Sequence, residues 1–191
     1  MKTVAVLVGS LAHNSINRQL ARSLDKLAGA RLHFDYIDLG ALPHYNNDLW
    51  ENPPAVVLDL KARAETADAV LIVMPEINRS YPAMIKNALD WASRPYGDNS
   101  WAGKPLGLSG TSPGVIGTAA GQNQMRATLP LYGFVVMGQP EVYLQFKPGL
   151  IDENHDITDD VTRGFLATYV DRFVAWIEAH GQRSLPAVAA Q

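Results

Sequence analysis

Cysteine is absent from all 191 residues, which excludes disulfide staples, thiolate metal sites and a cysteine nucleophile while leaving the compartment open. A positive field is missing too: 16 Lys and Arg stand against 19 Asp and Glu, a formal charge of −3. Generic DNA or RNA binding is therefore not expected. The apolar run near the start, Val4–Val8, falls far short of the roughly 20 residues a membrane helix needs, and no small-residue cleavage site follows it. No linker, repeat or low-complexity block divides the chain. These absences lead us to expect a soluble, cytoplasmic, unprocessed protein with no nucleic-acid and no membrane partner. What is present is a 47% apolar composition, enough for a real core and incompatible with whole-chain disorder. The length suits one domain over residues 1–183, followed by a flexible tail over 184–191 where Pro186 and small residues gather.

Periodicity predicts alternating strands and helices. Val4–Val8 and Ala69–Met74 are continuous aliphatic runs, as in strands covered on both faces. Leu32–Ile37 alternates apolar and polar residues and predicts a strand near an edge. Pro105–Leu108 and Phe134–Met137 predict two further short strands. Helices are predicted over 15–27, 55–66 and 119–131, and behind Pro82, placed as a first-turn proline. In the last helix Val161, Phe165, Tyr169, Phe173 and Ile177 recur every four residues, a stripe that needs a partner surface. The alternation implies an α/β, flavodoxin-like three-layer sandwich around a five-stranded parallel sheet in the order 2-1-3-4-5. Ligands of such sheets sit beyond the carboxyl ends of the strands.

That rule nominates three loops. The first, Gly9–Asn17, gathers Ser10, Asn14, Ser15 and Asn17 where a helix begins, an arrangement that favours a phosphate through free N–H groups and the helix dipole. A plain N-cap at Asn14 or Ser15 is the alternative. The second, Pro75–Pro82, offers Glu76, Asn78 and Ser80 between two prolines, with Ile77 as an apolar wall; an ordinary turn is its alternative. The third, Gly110–Thr118, is glycine-rich and enters the next helix, so it either approaches a ligand closely or is a flexible surface turn. No Gly-Lys-Ser or Gly-Lys-Thr follows the first strand, Leu11 occupies the second glycine of a dinucleotide fingerprint, and no carboxylate ends the strand. A mononucleotide phosphate is the ligand these exclusions leave.

Taken together, Gly9, Ser10, Ser15 and Asn17, then Pro75, Glu76, Asn78, Ser80, Pro82 and Lys86-Asn87-Ala88-Leu89-Asp90-Trp91, then Ala102-Gly103-Lys104-Pro105 and Thr111–Gly117, resemble the NADPH-dependent FMN reductase family with its quinone and chromate reductase members. The resemblance spans residues 4 to about 141 and departs from the family pattern at Ala12, where arginine is usual, and at Ile77, where tyrosine is usual. It implies FMN as cofactor and NADPH or NADH as co-substrate. Small-molecule acceptors would be quinones, azo compounds, free flavin or chromate, and the assembly a homodimer or homotetramer. The FMN phosphate would fall to Ser10, Ser15, Ile16 and Asn17, and the flavin ring to Pro75, Glu76, Ile77, Asn78, Thr111 and Ser112. No catalytic side chain and no metal are expected, because the flavin carries the chemistry. His33, His44, His155 and His180 are accordingly assigned surface or structural roles, and Arg79 a solvated one beside the flavin loop, with a contact to the NADPH 2′-phosphate as its alternative. The same resemblance points to Met84, Trp91 and Trp101 as subunit contacts, with ordinary core packing as the alternative. A flavodoxin-type electron carrier and a degenerate nucleotide binder are the rival functions.

Overall fold

A computed structural model describes residues 1–181; the tail expected over 184–191 lies outside them. Five parallel strands run in the order β2-β1-β3-β4-β5, with β1 at Lys2–Val8, β2 at Leu32–Tyr36, β3 at Ala69–Val73, β4 at Pro105–Ser112 and β5 at Val135–Val136. A sixth, β6 at Val142–Gln145, also pairs in parallel with β4. The helices are α1 (Ile16–Ala28), α2 (Ala55–Thr66), α3 (Ala83–Ala92), α4 (Ala119–Thr128) and α5 (Asp160–His180). Among the described residues, no helix is long and apolar enough to cross a membrane.

The unbroken apolar runs are explained by a pleat that feeds two cores at once. Along β1, Ala5 and Leu7 join the core under α2, α3 and α4, while Val4, Val6 and Val8 join the one under α1 and α5. β3 divides in the same way, with Val70 and Ile72 on one face and Ala69, Leu71 and Val73 on the other. Both faces being covered, polar alternation has no place in these strands. β2 alternates because it is the edge strand, and His33 on it is exposed.

Several expectations need correction. The fifth strand is not one run over 134–137: β5 pairs with Pro105 and Leu106, the chain leaves the ladder over 138–141, and β6 resumes opposite Ser109–Ser112. Pro140 has no N–H to give a ladder. The Arg126 guanidinium bridges the break, donating from Nη1 to the Met137 carbonyl at 3.0 Å and lying 3.4 Å from Glu141. β4 runs four residues beyond Leu108 because β6 offers it a partner, so Thr111 and Ser112 are strand residues rather than loop residues. The fourth helix stops at Thr128 and tightens into a 3-10 turn over Leu129–Tyr132, which contains Pro130. Pro82 caps α3 from outside rather than opening it.

Trp91 and Trp101 are fully buried and belong to the core, so they are not surface contacts; Met84 is half-buried against the same core. Their indole N–H groups donate to Pro43 and Leu89 carbonyls at 2.9 and 3.0 Å. On α5 the buried set is Leu166, Tyr169, Val170, Phe173 and Ile177, while Val161 and Phe165 are exposed. A strict four-residue spacing drifts around a helix of 3.6 residues per turn, so such a stripe leaves the core at one end.

Candidate functional site

The three nominated loops all leave the carboxyl edge of the sheet, from β1, β3 and β4. Ser15 is the N-cap of α1, and its hydroxyl oxygen accepts from the Arg18 N–H at 3.2 Å. Ser10 accepts from the Ala12 N–H at 3.4 Å. Within the described residues the N–H groups of His13, Asn14, Ile16 and Asn17 make no hydrogen bond. Unclaimed donors at the positive end of a 13-residue helix form an anion cradle. The hydroxyl hydrogens of Ser10 and Ser15 add to it.

Asn17 does something different. It is 1% exposed, and its amide is paired at both ends with one peptide: Nδ2 donates to the Thr111 carbonyl at 2.9 Å while Oδ1 accepts the Thr111 N–H at 3.0 Å. The Asn17 side chain thus ties the first loop to β4, and its backbone N–H alone faces the cradle. The Thr111 hydroxyl is likewise engaged, donating to the Leu144 carbonyl at 2.8 Å. Ser112 Oγ donates to the Gly117 carbonyl, closing the third loop on itself.

The second loop is a tight hairpin. Ile77 and Ser80 exchange two backbone hydrogen bonds of 2.9 Å, and Asn78 and Arg79 between them have φ of 49° and 67°. Two positive φ values in a two-residue turn define the type I′ geometry, which Asn tolerates well. Three polar links dock this hairpin on α4. Glu76 Oε2 accepts the Gly121 N–H at 3.0 Å, Ser80 Oγ donates to Gln124 at 2.7 Å, and Gln124 donates back to the Arg79 carbonyl at 2.9 Å. Gly121 is required by the closeness of this contact, since a Cβ there would meet the Ser80 carbonyl at 2.9 Å.

Glu76 has a side chain only 7% exposed, and it sits where the α4 dipole favours a negative charge. Arg79 closes on its other oxygen at 3.2 Å while remaining 70% exposed. Among the predicted site residues, Glu76 and Asn17 therefore hold the loops in place, whereas Pro75, Ile77 and Asn78 form the surface they present. Ile77 at the hairpin is 51% exposed, and Val115 and Ile116 on the third loop are 88% and 44% exposed. Large apolar side chains on the same edge as an anion cradle suit a flat, amphipathic ligand with a phosphate tail.

Beneath them Gly110 admits the close packing of β3 on β4: a Cβ would stand 2.2 Å from the Met74 carbonyl oxygen. The residues present fit FMN: donors that could take the phosphate, apolar tips that could cover the ring faces, and N–H groups at Gly114, Val115 and Ile116, unclaimed among the described residues, that could meet its polar edge.

Sequence reasoning missed Gln124 and Gly121, whose roles depend on a hairpin 44 and 45 residues away. It placed Val115-Ile116 in the third loop but gave them no part in the site, although two adjacent apolar residues between loop glycines were a visible signal. None of His33, His44, His155 and His180 lies in the three loops.

Residues 1–149 match the family model described as NADPH-dependent FMN reductase. A 2-hydroxy-1,4-benzoquinone reductase of Burkholderia sp. is 45% identical over 174 residues, covering 91% of this chain and 95% of the relative. A quinone reductase of Pseudomonas putida is 41% identical over 177 residues, covering 92% and 95%. A solved flavoenzyme NAD(P)H:(acceptor) oxidoreductase (FerB) of Paracoccus denitrificans superposes with a TM-score of 0.93 at 53% identity, covering 94% of this chain and 99% of that one. A flavodoxin of Pseudomonas aeruginosa, 22% identical with a TM-score of 0.56, shares the flavodoxin-like fold.

Proposed function

The chain belongs to the NADPH-dependent FMN reductase family, and on that premise we propose that it oxidises NAD(P)H through bound FMN and reduces small acceptors, quinones foremost. When bound, FMN would supply the redox chemistry, the transfer of electrons from the nicotinamide to an acceptor. The protein's own part is to hold, orient and shield. The N–H groups of His13, Asn14, Ile16 and Asn17 and the hydroxyls of Ser10 and Ser15 would hold the phosphate. The backbone of Pro75–Asn78 and the third loop would border the ring, with Ile77, Val115 and Ile116 keeping water from its faces. N–H groups at Gly114–Ile116 would offset negative charge gathered on the reduced ring. Thr111 and Ser112 shape this border from β4 rather than reaching into it.

The observation that carries the reading is the meeting of unclaimed phosphate donors with exposed apolar loop tips on one edge, braced from behind by buried polar clasps. Azo compounds, free flavin and chromate would be further acceptors of electrons from the reduced cofactor. The protein is proposed to act as a homodimer or homotetramer. The carrier alternative fits less well, because a net charge of −3 gives little steering field.

The test is the visible spectrum of the purified protein with FMN, followed by anaerobic NADPH and then a benzoquinone. Rapid bleaching that the quinone reverses is expected. Flavin bands that persist under NADPH overturn the reductase, and a failure to bind FMN overturns the cofactor.

A further inference from the structure

The first loop must hold a group that, as a phosphate monoester, carries about −1.5 to −2 charge near neutrality. A helix start supplies roughly half a positive charge. Residues 9–17 contain neither lysine nor arginine. One cation stands within a turn of the cradle: Arg18, third residue of α1, whose backbone N–H is fixed by the Ser15 cap.

Its side chain makes no hydrogen bond and no ion pair among the described residues. The nearby charges are already spoken for. Arg22 lies 3.7 Å from Asp25 and stacks 3.8 Å over the Tyr36 ring. The Tyr36 hydroxyl donates to Asp25 at 3.2 Å. The Asp38 carboxylate accepts the Gly40 N–H at 2.9 Å. Arg18 instead lines a cavity of about 290 Å³ with Val8, Leu11, Tyr36, Ile37, Asp38 and Leu39. Val8 and Leu11 belong to the end of β1 and the first loop, so the cavity opens beside the cradle.

We propose that Arg18 is a cofactor-binding residue: its guanidinium closes from the β2 side on the phosphate that the first loop holds. An arginine fork forms two parallel charge-assisted bonds to phosphate oxygens, a geometry a lysine does not reproduce. The group is exposed and, among the described residues, unpaired, so turning inward to an anion costs little. The assignment rests on the FMN reading above and extends it to a residue outside the Gly9–Asn17 loop.

The experiment is a fluorescence-quenching titration of the apoprotein with FMN and with riboflavin, which lacks the phosphate. Arg18→Ala is expected to weaken FMN about ten- to a hundredfold at low salt and to leave riboflavin unchanged. Arg18→Lys should recover part of the loss. Arg172→Ala removes another cation that has no side-chain partner among the described residues, set on α5 at a separate groove, and is expected to leave FMN affinity unchanged.

Equal FMN affinity in Arg18→Ala and the parent overturns the proposal, as does equal weakening of FMN and riboflavin. A matching loss in Arg172→Ala would mean that overall charge, not contact, sets the affinity, and overturns it too. Unchanged FMN binding with a selectively raised KM for NADPH assigns the cavity to the coenzyme phosphate, again against the proposal. A parent protein that binds neither flavin overturns the FMN reading itself, an outcome distinct from the others.

Discussion

Asn17 and Thr111, 94 residues apart, are joined face to face: one side-chain amide satisfies both the N–H and the C=O of one buried peptide. The pairing locks the start of α1 to the end of β4, so the phosphate cradle and the third loop move as one body. Asn17→Ala leaves a buried donor and acceptor without partners, and a loss on the order of 2–4 kcal/mol is expected. Asn17→Asp keeps the acceptor for the Thr111 N–H but sets two oxygens against each other at the carbonyl, so it should not restore stability. Urea unfolding of the apoprotein measures the loss. If Asn17→Ala unfolds at the parent's midpoint yet fails to bind FMN, the residue is a ligand rather than a clasp.

Glu76 offers a graded series. Glu76→Gln keeps an acceptor for the Gly121 N–H and gives up a charge at the α4 start, a change worth about 0.3–1 kcal/mol. Glu76→Ala orphans that N–H and should cost more, roughly 1–3 kcal/mol. Arg79→Ala should cost less than either, because its partner bond lies at a 70% exposed side chain. The predicted thermal midpoints rise from Glu76→Ala through Glu76→Gln to Arg79→Ala. A larger loss from Arg79→Ala than from Glu76→Ala would show that the ion pair, not the helix cap, holds the hairpin.

The elements were legible where a single residue type settles the question. β1 and β3 stood out as unbroken aliphatic runs because both faces of the sheet are covered, and the start of α1 was marked by Asn14 and Ser15, between which the sequence left the cap open and the structure takes Ser15. The break between β5 and β6 was not legible, since it depends on Arg126 from another element filling the gap left around Pro140. At the site, polar residues in the right loops were visible, but whether a side chain faces a ligand or another loop depends on a partner far along the chain. Asn17 and Thr111 resemble a ligand's contacts in sequence and turn out to hold each other. Arg18 was passed over for a related reason: nothing in its neighbours signals that it lacks a partner among the described residues.

Asp68 carries a pH dependence at the opposite edge of the sheet. Burial pushes its carboxyl up, but the Lys2 ammonium, the Thr3 N–H and the more distant charge of Lys104 outweigh that and hold it below the usual carboxylate value. A folded-state value below the unfolded one means the contribution is fully present above the unfolded pKa and fades as pH falls through the folded one. Asp68→Asn should therefore be less stable than the parent at pH 7, with the difference closing below about pH 4. Urea midpoints across pH 7 to 3 check this. A gap that stays constant over the range would mean that shape rather than charge accounts for the effect.

Gly110 sets how closely the second and third loops approach. It lies on β4 opposite Tyr143 of β6, and a Cβ there would come 2.2 Å from the Met74 carbonyl and 2.6 Å from the Thr118 hydroxyl. The first of these is backbone at the end of β3, immediately before Pro75, so it cannot yield without shifting the hairpin that follows. Gly110→Ala is expected to cost more than about 2 kcal/mol through overpacking and to weaken FMN binding as well, because relief of the clash moves Pro75 and Ile77. Gly138→Ala is the matched control: among the described residues a Cβ there meets nothing within 4 Å, and a change within about 0.5 kcal/mol is expected. The informative measurement is the pair of thermal midpoint and FMN affinity for both variants. Loss of affinity in Gly110→Ala at an unchanged midpoint would place the glycine against the ligand itself, whereas joint loss ties ligand affinity to the packing of Met74 on β4.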